Sequence, residues 1–227
     1  MTVFSALGSI VLFTLLDTGT QMPLQGRGDP PKVADKKESF GAAVGPAALP
    51  AGATSAYAFV GLPEVGGGFR QGLGFAEWEV RARADYLTLS ASAEVIGKYA
   101  LYHWGRLDYG PYLGVGLTLS SGARYLDPLT FAFVGLRALG GASLSYRITD
   151  TLMLLARLEV PFDWPIGTGG GAHLRALAGG GVELYLADDI TAMALGQAGL
   201  DWIKEPLGVP VARFGYSLVL GVGLRLF

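Results

Sequence analysis

The chain has 227 residues, of which 51% are hydrophobic and 16% charged, with 35 glycines and no cysteine. An ordinary soluble domain carries about 25% charged residues and about 7% glycine, so charge is scarce here and glycine roughly doubled, while the apolar content excludes a disordered chain. A formal charge of −2 gives no electrostatic reason to expect nucleic acid, and without cysteine there is no disulfide, thiolate catalysis or thiolate metal site.

In chain order, Thr2 to Leu16 is uncharged and mostly apolar and ends at Asp17. It is shorter than the roughly 18 residues of a spanning helix and matches the apolar region of an export signal. It lacks a preceding Lys or Arg and a following A-x-A site, so residues 1–22 are read as a signal-like segment. A mis-assigned start and a retained N-terminal helix are the alternatives. Residues 23–38, with Arg27, Asp29, Pro30, Pro31, Lys32, Asp35, Lys36, Lys37 and Glu38, form a polar linker. The tripeptide Arg27-Gly28-Asp29 within it is read as a chance match to an adhesion motif. Residues 39–227 constitute one domain.

That domain alternates with period two. From Ala76 to Tyr86 the even positions are Ala76, Trp78, Val80, Ala82, Ala84 and Tyr86, and the odd ones are Glu77, Glu79, Arg81, Arg83 and Asp85. Successive side chains of a strand point to opposite faces, so one face is apolar and the other ionised. Parity shifts at a turn near Leu87, after which Leu89, Ala91, Ala93, Val95, Gly97 and Tyr99 oppose Ser90, Ser92, Glu94, Ile96 and Lys98. The alternation continues over 107–119, 134–146, 152–162, 172–186, 190–200 and 214–226. Upstream it covers 63–69 and, more weakly, Phe40, Ala42 and Val44. None of these apolar faces carries Asp, Glu, Lys or Arg.

Many segments reach the ~9 to 11 residues that a strand needs to cross a bilayer, and a membrane barrel turns apolar side chains to lipid and polar ones to the lumen. The expected fold is all-β: a closed antiparallel up-and-down transmembrane barrel of about ten strands. Eight is the alternative if Ser39 to Ala47, interrupted by Pro46, does not pair. A soluble lipocalin-like binding barrel is the rival, with the apolar face turned inward.

Short links are expected near Leu73-Gly74, His103 to Gly105, Ile148 to Asp150 and Ala187 to Asp189. Longer ones are expected over Ala47 to Leu62, Ser121 to Thr130, Asp163 to Gly171 and Asp201 to Val211. A two-residue turn at Leu73-Gly74 pairs Arg70 with Glu77, Glu64 with Arg83 and Phe69 with Trp78. Across the Leu87 turn, Arg81 pairs with Glu94 and Glu77 with Lys98, and a slip by two brings in Arg83 and Glu79 instead. The expected lumenal ladder is therefore Glu64, Arg70, Glu77, Glu79, Arg81, Arg83, Glu94 and Lys98, extended by Arg137, Arg157, Glu159, Arg175 and Glu183. Phe69, Trp78, Tyr99, Tyr109, Tyr146, Phe162, Trp164, Trp202 and Tyr216 are expected at the lipid–water interface, as aromatic residues commonly are. Lumenal glycines, among them Gly110, Gly114, Gly116, Gly179, Gly181, Gly221 and Gly223, are expected to leave a narrow cavity.

The chain ends in an alternating strand from Tyr216 through Leu218, Leu220, Val222, Leu224 and Leu226 to Phe227. This resembles the C-terminal strand of small Gram-negative outer-membrane β-barrel proteins. The resemblance implies the bacterial outer membrane as location, membrane lipid as surroundings, and recognition of Phe227 by the barrel-assembly machinery. One departure is that the apolar positions are even whereas Phe227 is odd, so either Phe227 lies beyond the strand or a bulge resets the register.

Some members of the resembled class are hydrolases, which need a His base beside a carboxylate or Ser nucleophile. His103 falls in a short turn and His173 near the far rim, so two distant histidines make no metal site. A hydrolase on His173 with Glu159 or another carboxylate and a rim Ser is carried as an alternative. The glycine run 167–171 lacks a following Lys-Ser/Thr and reads as a loop. The leading expectation is a non-enzymatic barrel with a structural or narrow transport or binding role, no cofactor and an unidentified ligand.

Overall fold

The computed structural model describes residues 43–226, apart from 46, 47, 105, 125, 126, 128, 168 and 169 and the side chains of 102–104. The signal-like segment, the linker, Phe40, Ala42 and Phe227 lie outside the described residues. The strands are β1 Thr54–Leu62, β2 Glu64–Gly72, β3 Ala76–Asp85, β4 Ser90–Tyr99, β5 Tyr102–Trp104, β6 Leu107–Ser121, β7 Ala132–Arg147, β8 Leu152–Pro165, β9 Ala172–Ala187, β10 Ile190–Lys204 and β11 Val211–Arg225. All neighbours are antiparallel. The β1–β11 and β4–β6 ladders close ten strands into a cylinder, and the three-residue β5 pairs only with the start of β6.

The ladders also determine the geometry of the cylinder. A walk across the pairs from Arg147 passes through Met153, Glu183, Met193, Gly221, Phe59, Gly66, Arg83, Ser92 and Thr118 and returns to β7 at Gly135, an offset of 12 residues. With ~3.3 Å per residue and ~4.8 Å between strands, that stagger tilts the strands by about 40° and gives a backbone radius of about 10 Å.

Alternation then sorts the side chains. On β6, Leu113 is 75% and Val115 68% exposed, whereas Arg70, Glu77 and Glu94 on the inner face of other strands are at most 2% exposed. Tyr99, Tyr109, Tyr146, Trp164 and Tyr216 are exposed on the outer face, and Phe69, Trp78, Phe162 and Trp202 are half-buried there. The Phe69 and Trp78 rings lie 5.5 Å apart.

Three expectations need correction. Within the segment Ser39 to Ala47 the described residues 43–45 form no strand, Ala43 and Val44 lying in a bend, and β1 occupies most of the segment assigned to a long loop, leaving a single-residue link at Pro63. The signal in β1 was masked because its inner face carries Tyr57 and Phe59 in place of charges.

The β2–β3 register is shifted by two, placing Arg70 opposite Glu79 and Phe69 opposite Val80, because the turn spans three residues, with Gly74 at φ 99°. Since a shift of two keeps every side chain on its face, the expected contacts form diagonally. The β3–β4 register does place Arg81 opposite Glu94 and Glu77 opposite Lys98.

The inner face is also less polar than expected. Ile96, Tyr112 and Leu139 form one buried cluster, and Met153, Leu155, Met193, Leu195 and Val219 belong to another. Of the two alternatives for the C-terminal register, the bulge is not formed: β11 ends at Arg225 with continuous ladders.

Candidate functional site

The middle of the lumen is filled by ion pairs that cross it. Arg81 on β3 reaches Glu94 on β4 at 2.8 Å and Glu159 on β8 at 3.1 Å. Arg83 bonds Glu159 at 2.7 Å and Glu94 at 2.9 Å, and Arg157 bonds Glu159 at 2.7 Å. From β7, Arg137 meets Glu94 at 2.9 Å and Asp163 at 2.6 Å. Because β8 lies four strands from β3 around a ring of ten, the Arg81–Glu159 and Arg83–Glu159 contacts are ties across the bore, whereas Arg81–Glu94 and Arg137–Asp163 run between neighbouring strands along the wall. Glu94 and Glu159 each serve three guanidinium groups, which is how buried charges of this density are compensated.

Tyrosine rings fill the space beside the ties. The Tyr112 hydroxyl donates to the Leu158 carbonyl at 2.8 Å, and Arg157 lies 5.4 Å from the centroid of its ring. A Cβ on Gly141 would come within 2.3 Å of the Tyr112 ring, and one on Gly68 within 2.7 Å of the Tyr57 hydroxyl, so these glycines seat rings. The Tyr57 hydroxyl donates to Glu79. The cavity expected from lumenal glycines is accordingly absent at Gly114, which faces Ile96 and Leu139.

Toward the end of the barrel that carries the start of β1, here called proximal, the bore is stopped by the chain itself. The amide N–H groups of Ala43, Val44 and Gly45 donate to the fully buried Glu183 carboxylate at 2.9, 3.1 and 2.8 Å. Arg70 donates to the Gly45 carbonyl at 3.2 Å and grips Glu77 through two bonds of 2.7 and 2.9 Å. Glu77 also accepts from the Leu49 amide at 2.7 Å. Ala43 and Val44 pack on Met153, Leu155, Met193, Leu195 and Val219. A Cβ at Gly45 would meet the Met153 sulfur at 2.2 Å, so a larger residue there would have to displace the Met153 side chain. Lys98 links this layer to the next through Glu77 at 2.9 Å and through Glu79.

The distal end differs. A cavity of about 300 Å³ opens there, bordered by Glu64, Arg83, Asp163, His173, Arg175 and Asp201 among others, with Phe131 and Phe133 on its apolar side. His173 Nε2 lies 2.6 Å from Asp201 and Nδ1 3.3 Å from Asp163. Arg213 joins Asp201 at 2.9 Å to Asp127 of the β6–β7 loop at 2.6 Å. Partial burial opposes ionisation of Asp127, but the hydrogen bonds from Arg213 and the Leu129 amide hold its carboxyl below the ordinary aspartate range.

Of the thirteen ladder positions, all lie on inward-facing parity and all but Arg175 and Glu183 take part in the ion pairs. Glu183 is held by backbone amides, and Arg175 donates to the Tyr216 carbonyl at 3.3 Å. Asp163, Asp201 and Arg213 were assigned to loops or left unread, yet β8, β10 and β11 run on to include them. Asp163 shares parity with Arg157 and Glu159, the one signal that could have revealed it. Both ring nitrogens of His173 are occupied by carboxylates, and Glu159 is occupied by arginines. The charge relay of a hydrolase is not assembled in this arrangement.

No family model matches the chain, and no curated protein matches it. Among solved structures, similarity is found to the KdgM porin (11% identity, 77% of this chain and 99% of that one, TM-score 0.37). It is also found to the N-terminal β-barrel domain of Pseudomonas aeruginosa OprF (14% identity, 78% and 100%, TM-score 0.34). A third similarity is to a structure from de novo design of transmembrane β-barrels (12% identity, 79% and 99%, TM-score 0.32). These similarities concern the barrel fold alone and carry nothing about ligand or activity.

Proposed function

We propose that the chain is an integral outer-membrane β-barrel that seals its own bore and presents a small binding vestibule at its distal end. The observation that carries this reading is the inversion of the fold: charge is tied across the interior while Leu113, Val115, Leu117, Leu218 and Leu220 stand on the outside. Arg or Lys on a lipid-facing midplane position costs about 2 to 4 kcal/mol, which accounts for an outer surface without charge over the belt. Tyr146 flanks Leu154 and lies ten residues along β8 from the level of Trp164. At ~3.3 Å per residue and about 40° of tilt these two aromatic levels are about 25 Å apart, the height of an outer-membrane apolar band.

The proximal links 73–75, 148–151 and 188–189 are short, as are the distal links at Pro63 and 86–89, and the longest link, 122–131, is distal. Outer-membrane barrels keep short turns in the periplasm. This supports a periplasmic proximal end and a vestibule facing outward. The ties through Arg81, Arg83 and Glu159 and the segment at Glu183 favour a closed bore over a conduit.

The test is refolding in detergent, a gel-mobility comparison of heated and unheated samples, and planar-bilayer recording. The expected result is a heat-dependent shift with little steady conductance. A large ohmic conductance would remove the sealed bore, and protein that stays soluble and folded without detergent would remove the membrane location.

A further inference from the structure

The charges around the distal vestibule do not cancel pair by pair. Asp201 is directly opposite Arg175 in the β9–β10 ladder, but its Oδ1 is taken by His173 and its Oδ2 by Arg213. Both oxygens of Asp163 accept from Arg137 at 2.6 and 2.8 Å. Glu64 accepts from the Ser217 hydroxyl at 2.6 Å and faces Arg83 at 3.5 Å. Asp127 is held by Arg213, and Asp85 is occupied by the amides of Leu87 and Thr88. Every carboxylate on this wall therefore already has a donor, and the other three arginines each have a carboxylate.

Five carboxylates line the wall against four arginines and His173, and Arg175 is the arginine that pairs with none of them. Among the described residues no carboxylate lies within 4.0 Å of it; its Nη2 donates to one backbone carbonyl at 3.3 Å and its Nε is buried without an acceptor. A guanidinium left with free N–H groups on a cavity wall is a fork for an oxyanion, since paired N–H groups match the two oxygens of a carboxylate or phosphate.

We infer that the vestibule binds a small soluble oxyanion, a carboxylate or phosphate compound, with Arg175 as the residue that recognises it. The inference deepens the proposed function by naming a solute class, and it rests on that reading only for an open distal mouth. A cavity of about 300 Å³ is at the lower end of ligand sites and takes one small solute in place of a polymer. Thr88, Ser90 and Thr130 add hydroxyls to the wall, and Phe131 and Phe133, with rings 4.9 Å apart, cover its apolar side. Arg175 points to the lumen, away from headgroups packed around the barrel, which favours a solute over a lipid phosphate.

Calorimetric titration of the refolded full chain in lipid-free zwitterionic detergent tests this, with inorganic phosphate and succinate as probes. At least one is expected to bind the wild type. Arg175→Gln is expected to weaken that binding at least about tenfold, Arg175→Lys to retain part of it, and Arg106→Gln at the proximal end to leave it unchanged. Binding of neither probe, equal binding by Arg175→Gln, or binding only after anionic lipid is added would each overturn the site. The heat-dependent gel shift reports folding separately, so a folded barrel that binds nothing removes the vestibule site and leaves the barrel reading intact.

Discussion

The middle and the distal end of the lumen use the same residue types toward opposite results. In the middle, Arg81, Arg83 and Arg157 converge on Glu159, each charge is matched, and tyrosine rings and apolar side chains occupy the remaining space. At the distal end the bore is not filled, and the pairing of His173, Arg213 and Arg137 with Asp163 and Asp201 leaves Arg175 over. Saturated charge in a filled space is a scaffold, and a guanidinium without a carboxylate beside an open space is a receptor. The proximal end completes the contrast, since there a carboxylate is satisfied by the backbone of the chain's own 43–45 segment.

The sharpest way to break this contrast is to empty the middle. Arg81→Met leaves Glu94 and Glu159 short of a partner, and breaking a buried ion pair from one side costs about 3 to 5 kcal/mol. A corresponding drop in the urea midpoint of the vesicle-inserted protein is expected, and an unchanged midpoint would show that the ties carry no stability. Second, Leu113→Arg places a charge in the outer belt and is expected to cost about 2 to 4 kcal/mol in vesicles. Full stability there would argue against lipid contact.

Third, Glu183→Gln weakens three charge-assisted bonds and is expected to cost about 1 to 2 kcal/mol. Faster amide exchange at Ala43–Gly45, with a rise in bilayer conductance, is the expected readout; protection as in the wild type would mean the segment is held by packing alone.

The smallest effect concerns acid. The Asp127 pKa is depressed in the folded state, so what its contact with Arg213 contributes is fully present above the unfolded value of about 3.9 and is lost as pH falls through the lower folded value. Exchange of the amides around Leu129 is expected to stay slow at pH 5 and to accelerate only in stronger acid. Acceleration already between pH 5 and 7 would contradict this.

Much of the fold was legible because parity is a local property. The charged odd positions of 76–86 and the shift near Leu87 are visible without any partner strand, and matching opposite charges narrows the β3–β4 register to two choices, of which the closed sheet takes the one that sets Arg81 opposite Glu94. β1 escaped notice because Tyr57 and Phe59 make its inner face resemble its outer one. Asp163 and Asp201 fall in the segments 163–171 and 201–211 expected as long links, although β8 and β10 run on to Pro165 and Lys204. The proximal stopper gave no signal at all: three backbone amides meeting Glu183 across about 140 positions of sequence leave no pattern in either segment.

The amino-acid order alone thus determined which side chains face out and which face in, since alternate residues of a strand must point oppositely. Closure and stagger of the cylinder decided the rest. Only the offset of 12 brings β3 and β4 opposite β7 and β8 at heights where Arg81 meets Glu159 and Arg137 meets Glu94. The same geometry decides that Asp201 is claimed by His173 and Arg213, leaving Arg175 without a carboxylate. Partner choice inside a barrel depends on distances across the bore, and those distances exist only once the sheet has closed.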